Sequence, residues 1–518
     1  MKRNFTTQEA FDLAVQNRQK NNFQIAANLY REILKTNPDH FESIFDLGAL
    51  LAQAKRLDLA KPLFQKAIKI QPNYATAHSN LGKVWHELGE HQKAISCFEK
   101  AIQIDPNYVN VYNNLGIVLQ ELREYQKAIS CFEKAIKINP NDAHLHNNLG
   151  IVLQELGEKQ KAISSYQMAV KYEPENLVYL YHLSTLDEKI LNQKLKKNIY
   201  EIIKKNSSTK KNIAYGNFLL SKYELKAKKY KNEFDYLLKG HQYYFESEKK
   251  KFKKEVEDLL NALPKRKELI NLHKHNKNIK MDNPMVRPIF IIGVPRCGST
   301  LIEKIIASGS QYIPIGEETG IIGKVVQNHI NHKQSLNSDI ENLQTKIVEA
   351  YKQKGLVQKK SNYMFTDKSL VNFFYIDIIK EIFPQAKVIN CRRNALSSIM
   401  STLKNNLIFT SWAHNLEHIF KYYDIYHKII KNFDKTFPNF IYDLQYEKFV
   451  SDPENEAKKL MKFCGLPWDI KCLEFYKRKD LISKTTSNIQ IRKAIYKDSI
   501  NKYLPYKHFI SKFKGVVL

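Results

Sequence analysis

A proline returns every 34 residues along the first third of the chain, at Pro38, Pro72, Pro106, Pro140 and Pro174. In step with it come a Leu-Gly pair (Leu47-Gly48, Leu81-Gly82, Leu115-Gly116, Leu149-Gly150) and an alanine followed four positions on by an aromatic (Ala60/Phe64, Ala94/Phe98, Ala128/Phe132, Ala162/Tyr166). A further alanine follows at Ala67, Ala101, Ala135 and Ala169. Each period of this length is one helical hairpin that cannot bury its apolar face alone, so neighbours must stack to complete the core. Glycine and alanine let helices approach closely, the aromatic fills the gap, and proline separates one hairpin from the next through its fixed φ and missing N–H. Residues 4–37, with Ala26 and Tyr30, read as a weaker first copy.

The pattern resembles the tetratricopeptide repeat. Asn80, Asn114 and Asn148 recur one period apart on the first helix of their hairpins, beside Ser79, Asn113 and Asn147. First helices line the concave face of such an array. The resemblance therefore implies an amide ladder that holds a peptide or protein partner, with a simple spacing role as the alternative. Residues 181–285 are helical in pattern and lysine-rich, with a degenerate hairpin from Tyr215 through Tyr230 to Tyr244.

A 518-residue chain exceeds one ordinary core, and 43% hydrophobic with 26% charged residues is globular. No apolar run reaches the roughly 20 residues of a membrane span, and Met1-Lys2-Arg3 leads into polar sequence rather than a signal peptide. Six scattered cysteines suit a reducing cytoplasm. Neither Cys464 nor Cys472 has metal-ligand spacing, so no metal is expected. The net charge of +29 favours polyanionic ligands, but no nucleic-acid module accompanies it. The sequence does not fix an oligomeric state.

The pattern changes after Met285. Arg287-Pro288-Ile289-Phe290-Ile291-Ile292-Gly293 reads as a buried parallel strand, and Pro295-Arg296-Cys297-Gly298-Ser299-Thr300 as a loop entering a helix. Such a turn aims backbone N–H groups and a helix N-terminus at an anion. A nucleoside-triphosphatase loop would place lysine where Ser299 stands. The later strand Ala386-Lys387-Val388-Ile389-Asn390 runs into Cys391-Arg392-Arg393 rather than a metal-binding aspartate. Both features disfavour a nucleotide kinase.

The loop resembles the 5′-phosphosulfate-binding loop of sulfotransferases that use 3′-phosphoadenylyl sulfate (PAPS). Arg393-Asn394-Ala395 with Ser401 resembles their 3′-phosphate element. Gly316-Glu317-Glu318-Thr319 narrows the resemblance to tyrosylprotein sulfotransferases and their repeat-bearing bacterial relatives. The expected architecture is multidomain: an N-terminal all-α tetratricopeptide-repeat solenoid (1–180), a helical connector (181–285) and an α/β, P-loop-like sulfotransferase domain with a parallel sheet (286–518).

The resemblance implies PAPS as donor, held by Arg296, Cys297, Gly298, Ser299, Thr300, Arg393, Ser401, Tyr446 and Lys502. It implies Glu317 as general base, with Arg296, Lys368 and Ser487 (Gln490 following) stabilising the transferring group. Cys297 departs from the commoner serine of that loop. A protein tyrosine is the leading acceptor, with a carbohydrate or small metabolite as the alternative. Readings of other classes are a scaffold that binds nucleotide without turnover and a repeat-fused glycosyltransferase.

Overall fold

The computed structural model describes residues 6–205, 207–262, 286–331, 340–357, 364–408, 410–478, 480, 492–496 and 500–510. By its packing the chain divides into two units, Met1–Glu188 and Lys189–Leu518. Residue 180 lies inside helix α11 (Leu177–Leu186), which belongs to the first unit, and residues 189–262 belong to the second. The reason is burial. Leu177, Tyr179, Leu180 and Leu183 are all buried, with Tyr179 against Ala143 and Ala169 of the last hairpin.

In the first unit the hairpins are α1 (Thr7–Gln19) with α2 (Phe23–Thr36), α3 (Phe41–Gln53) with α4 (Leu57–Ile70), and α5 (Ala75–Glu87) with α6 (His91–Ile104). They continue as α7 (Val109–Glu121) with α8 (Tyr125–Ile138), and α9 (Ala143–Leu156) with α10 (Lys159–Tyr172). Phe64, Phe98, Phe132 and Tyr166 on the second helices are buried against the glycine of the first. A Cβ at Gly82, Gly116 or Gly150 would lie 2.7, 2.8 and 2.6 Å from the ring, whereas at Gly48 the gap is 3.1 Å. The helix turns at the prolines are tied down from the next hairpin. His78 Nε2 lies 2.9 Å from the Pro72 carbonyl and His146 Nε2 2.8 Å from that of Pro140.

The second unit opens with α12 (Gln193–Lys204), α13 (Lys210–Lys226), α14 (Tyr230–Ser247) and α15 (Lys249–Ala262). The α13/α14 hairpin keeps the aromatic-on-glycine contact with its polarity reversed, because Phe218 sits on the first helix and Gly240 on the second. Helix α14 docks on the α/β fold through two buried polar clusters. Glu233 pairs with Lys404 at 2.9 Å and accepts from the Tyr506 hydroxyl at 2.5 Å. His241 and His414 meet Nδ1 to Nδ1 at 2.9 Å, and their Nε2 atoms face the carbonyls of Leu403 (2.8 Å) and Leu407 (3.2 Å).

Among the described residues the sheet is four-stranded and parallel, β1 (Arg287–Gly293), β2 (Met364–Asp367), β3 (Lys387–Arg392) and β4 (Ile441–Gln445), in the order β2-β1-β3-β4. Ile289 through Ile292 are fully buried, as an apolar run covered on both faces requires. Around the sheet lie α16 (Ser299–Ala307), α17 (Ile321–Asn331), α18 (Ile340–Gln353), α19 (Ile376–Ile382), α20 (Ala395–Lys404), α21 (Leu416–Thr436), α22 (Tyr446–Ser451) and α23 (Pro453–Cys464). The connection from β1 leads outward to β2 and that from β3 to β4 on the opposite side. The crevice beyond the carboxyl ends of β1 and β3 is therefore the topological switch point, where ligands of such sheets bind.

Candidate active site

Gly293, at the end of β1, pairs in register with Cys391 near the end of β3. This pairing joins two segments about a hundred residues apart. After β1 the chain turns through Arg296 (φ 68°) and Gly298 (φ 100°), both left-handed, and Gly298 caps α16. Only glycine fits at 298. A Cβ there would stand 2.5 Å from Tyr446 Cδ2, at the start of α22. The Tyr446 ring also lies under the Arg393 guanidinium, 4.6 Å from its centroid. Arg393 donates to the backbone carbonyl of Arg296 at 3.1 Å, and Arg296 Nε donates to Ser401 Oγ at 2.9 Å. Loop, β3 exit, α20 and α22 thus converge on one spot.

The electrostatics of that spot are those of an anion site. Burial, and then the neighbouring Arg393 charge, pull the Arg296 guanidinium down to about 10, with Tyr496 among the groups that oppose the shift. Two guanidiniums held together at a helix N-terminus repel each other until an anion lies between or beside them. Cys297 packs on Cys391, both buried. The Cys391 thiol and then Ser299 donate toward the Cys297 sulfur and hold it below the usual thiol range, while Cys391 is pushed up. Arg392, by contrast, turns to Asp443 at 2.8 Å and is structural.

On the other side of β1, the segment after α16 adds to β2 as a short parallel bridge, Ile315 to Thr366. Gly316 donates its N–H to the Thr366 carbonyl at 2.9 Å, so close that a Cβ would collide with that oxygen. Glu317 follows in left-handed conformation (φ 51°) and is 2% exposed. That conformation costs a non-glycine residue roughly 1–2 kcal/mol. Its backbone is fastened at both ends. The N–H donates to Glu303 Oε1 (3.0 Å), and the carbonyl accepts from Lys368 N–H (2.7 Å). Its carboxylate lies 3.7 Å from Lys304 Nζ, also buried. Lys368 is fully buried, yet its ammonium reaches out to Glu318 Oε1 at 3.2 Å, and its charge acts on Cys297, Cys391 and Glu303. Buried Asp367 organises the turn below by accepting from Thr319 (2.6 Å), Tyr351 (2.6 Å) and the Ser369 N–H (2.9 Å).

Of the residues singled out in the sequence, Arg296, Cys297, Gly298, Ser299, Thr300, Arg393, Ser401 and Tyr446 come together around the switch point, with Glu317 and Lys368 on the flank of β1 nearest the β2 end. Arg296 and Ser401, which the resemblance assigns to different ends of the donor, are joined directly. Lys502 is exposed, although its neighbour Ile500 reaches α20 through the Ser397 hydroxyl (3.3 Å). Ser487 and Gln490 lie outside the described residues. Sequence reading passed over Glu303, Lys304, Thr366, Asp367 and Tyr496. The first two read as an ordinary charged pair on a helix, and only their burial distinguishes them. Trp412 stacks on Tyr422 (3.9 Å), and His414 is buried against His241 of α14.

In the repeat unit Asn80, Asn114 and Asn148 are partly buried on α5, α7 and α9. Asn148 spends an amide donor on Asn113 Oδ1 (2.9 Å) and Asn147 Oδ1 faces His182 (2.8 Å), so part of the amide array ties repeat to repeat. Asn114 Nδ2 is buried with no hydrogen-bond partner among the described residues.

Residues 288–470 match the family model described as sulfotransferase family, and residues 43–107, 73–141 and 107–172 match that of the tetratricopeptide repeat. An uncharacterized protein of Aquifex aeolicus (strain VF5) is 32% identical over 243 residues, 44% of this chain and 32% of that one. Protein-tyrosine sulfotransferase A of Caenorhabditis elegans is 24% identical over 243 residues, 42% of this chain and 60% of that one. Omega-hydroxy-beta-dihydromenaquinone-9 sulfotransferase Stf3 of Mycobacterium bovis (strain ATCC BAA-935 / AF2122/97) is 28% identical over 115 residues, 20% of this chain and 29% of that one. The chain thus spans under two thirds of the length of each of these relatives. Among the described residues no helix is long and apolar enough to cross a membrane.

Proposed function

We propose that this chain, with tetratricopeptide repeats within residues 43–172 and a sulfotransferase-family segment at 288–470, transfers a sulfuryl group from PAPS to a hydroxyl acceptor in the cytoplasm. One observation carries the reading: Arg393 reaches back to the Arg296 carbonyl, with Tyr446 packed against both Arg393 and the Gly298 turn. A doubly phosphorylated nucleotide suits this arrangement. The loop N–H groups at Ser299 and Thr300 with Arg296 would hold one phosphate, and Arg393 with Ser401 the other.

Bound there, PAPS supplies a sulfuryl group on a phosphate leaving group. The chain's own residues then orient and neutralise. Glu317 accepts the proton of the incoming hydroxyl, and Lys368 and Arg296 supply positive charge where negative charge develops. Ser487 and Lys502, toward the C-terminus, complete the assignment. Protein tyrosine is the proposed acceptor, supported by the four-residue Gly316–Thr319 segment and by the relatives named for that acceptor. The repeats would hold the acceptor or a partner protein and raise its local concentration. A small or lipid hydroxyl is the second reading, favoured by the mycobacterial relative.

Calorimetric titration with adenosine 3′,5′-bisphosphate tests the site. Arg296→Ala and Arg393→Ala should each weaken binding about 10- to 100-fold, the loss of a charge-assisted hydrogen bond, and Glu317→Gln should bind normally while losing transfer. Unchanged affinity in both arginine variants would remove the nucleotide from this crevice. Labelled PAPS with a cell extract, followed by mass spectrometry, identifies the acceptor.

A further inference from the structure

A repeat array writes the same residues in fixed phase, so a hairpin that departs from the others marks what that hairpin alone does. Three successive hairpins carry a glutamate near the end of the first helix, Glu87, Glu121 and Glu155. In phase with His86 stand Ala52, Gln120 and Gln154, and in phase with His91 stand Leu57, Tyr125 and Lys159. Of the five hairpins only the third has histidine at both positions, and both rings lie beside the Glu121 carboxylate of the fourth. His86 Nε2 is 2.9 Å from Glu121 Oε2, and His91 Nδ1 is 3.8 Å from the same oxygen. The ring centroids are 5.8 Å apart. One ligand atom from each of the three side chains lies within 4.8 Å of the other two, and among the described residues they are the one such set. The two histidines are half-buried and Glu121 is exposed, so solvent ions reach them.

We infer that His86, His91 and Glu121 form a binding site for a divalent transition-metal ion of the zinc class, which ties the third hairpin to the fourth. Two imidazoles and a carboxylate are donors that such ions take, whereas magnesium and calcium are held by oxygen ligands. Zinc at about 2.0–2.1 Å from each donor sets neighbouring donors about 3.3 Å apart, and the observed 2.9 and 3.8 Å fall on either side of that spacing. One ring already gives Glu121 a hydrogen bond. The second stands beyond hydrogen-bond reach of that oxygen and at ligand spacing instead. His86 and Glu121 occupy the last turns of α5 and α7, where the helix dipole favours a cation. The hydrogen bond to Glu121, against the effect of burial and with the charges of Glu121 and Glu87, holds His86 above its ordinary range, so this spot favours positive charge. Three protein donors leave the remaining coordination to water, as in an open and exchangeable site. Because the histidines flank the α5–α6 turn and Glu121 ends α7, the ion strengthens the contact between neighbouring repeats, one of the terms that set the stability of such an array. Cysteine spacing in the sequence points to no metal, and this site uses none of the cysteines. The inference is independent of the sulfotransferase reading.

Calorimetric titration of the untagged, chelator-treated full chain with Zn²⁺ tests the site. It should show one ion per chain with a Kd of about 10 μM or below, and no saturable binding of Mg²⁺ or Ca²⁺ over the same range. His86→Gln and His91→Tyr install the side chains that the next hairpin carries in the same phase, Gln120 and Tyr125, so the fold accommodates them. Each should weaken Zn²⁺ binding about 10-fold or more, as should Glu121→Gln. His144→Gln, at an exposed histidine elsewhere in the repeat unit, should leave it unchanged. At Zn²⁺ about 10 times Kd, thermal unfolding of the repeat unit followed by circular dichroism should shift up by about 4 °C, and the His86→Gln/His91→Tyr double variant should lose that shift. Absence of saturable Zn²⁺ binding up to about 100 μM, unchanged affinity in either single histidine variant, an equal loss in His144→Gln, or equal binding of Mg²⁺ overturns the site. The two histidines are then hydrogen-bonding side chains of the repeat junction and nothing more.

Discussion

Glycine 298 shows how much a single position can decide. Its φ of 100° is a conformation side chains rarely adopt, and the space a Cβ needs is filled by Tyr446 at 2.5 Å. Alanine there meets strain and collision together. The ring cannot yield freely, because its face carries the Arg393 guanidinium at 4.6 Å, a contact of roughly 0.5–2 kcal/mol. Gly298→Ala should therefore disturb the cation as well as the turn and weaken adenosine 3′,5′-bisphosphate binding at least about 10-fold, corresponding to roughly 1.4 kcal/mol. Normal affinity by calorimetry would show that Tyr446 moves aside without consequence for Arg393. The glycine was legible in the sequence as a loop residue. Its tyrosine partner was not legible as the reason for it, since residues 298 and 446 meet only after the sheet has formed.

At the scale of the hairpin two effects of opposite sign compete. Replacing a helical glycine by alanine gains roughly 1 kcal/mol of helix propensity, whereas overpacking a filled contact costs roughly 1–3 kcal/mol. At Gly116 the ring of Phe132 stands 2.8 Å from the new methyl, while at Gly48 Phe64 leaves 3.1 Å. Gly116→Ala should lower the denaturant midpoint of the repeat unit, and Gly48→Ala should leave it nearly unchanged or raise it slightly. Equal losses at the two positions, read by circular dichroism of the full chain in urea, would show that distance to the ring is not what sorts them. The array was readable because a repeat writes the same local contact several times in fixed phase. The α13/α14 hairpin was harder to read, since it makes the same contact between Phe218 and Gly240 with the helices' roles exchanged. The loop after β1 and the helix that follows it were readable because a loop and a helix start are local in sequence. Glu303 was not, because its partners Glu317 and Thr366 come from two other segments and its burial depends on the closed sheet.

For the molecule as a whole, the second unit stands or falls with the seam between its leading helices and its α/β fold, and that seam contains histidines. Both Nε2 atoms of the His241–His414 pair face carbonyls, so the rings cannot satisfy all three contacts with two protons. The longer Leu407 contact, 3.2 Å, is the one to give way, making His414 the Nδ1–H donor to His241. Tyr244 and Phe252 cover His414 and Phe218 covers His241. Burial pushes His241 down to about 4, and burial and then its neighbour push His414 down to about 3. Because the folded values lie below the unfolded value of about 6.5, the unfolded chain binds more protons in mild acid. This contribution to stability is complete above about pH 6.5 and is lost progressively as pH falls toward the folded values. For His241 alone the loss between pH 7.5 and 5 is about 2 kcal/mol. The Lys196–Glu224 ion pair in the same unit titrates elsewhere: its carboxyl is held below the usual range, chiefly by Lys196 and Asn232 against the larger opposing effect of burial, so its window lies below about pH 4.5. The melting temperature of the second unit should therefore fall on acidification from pH 7.5 to 5, and His241→Phe combined with His414→Leu should flatten most of that fall. Hydrogen exchange across residues 230–247 and 395–416 should report the same opening. An acid response as steep in the double variant as in the wild type would locate the titrating groups outside this seam.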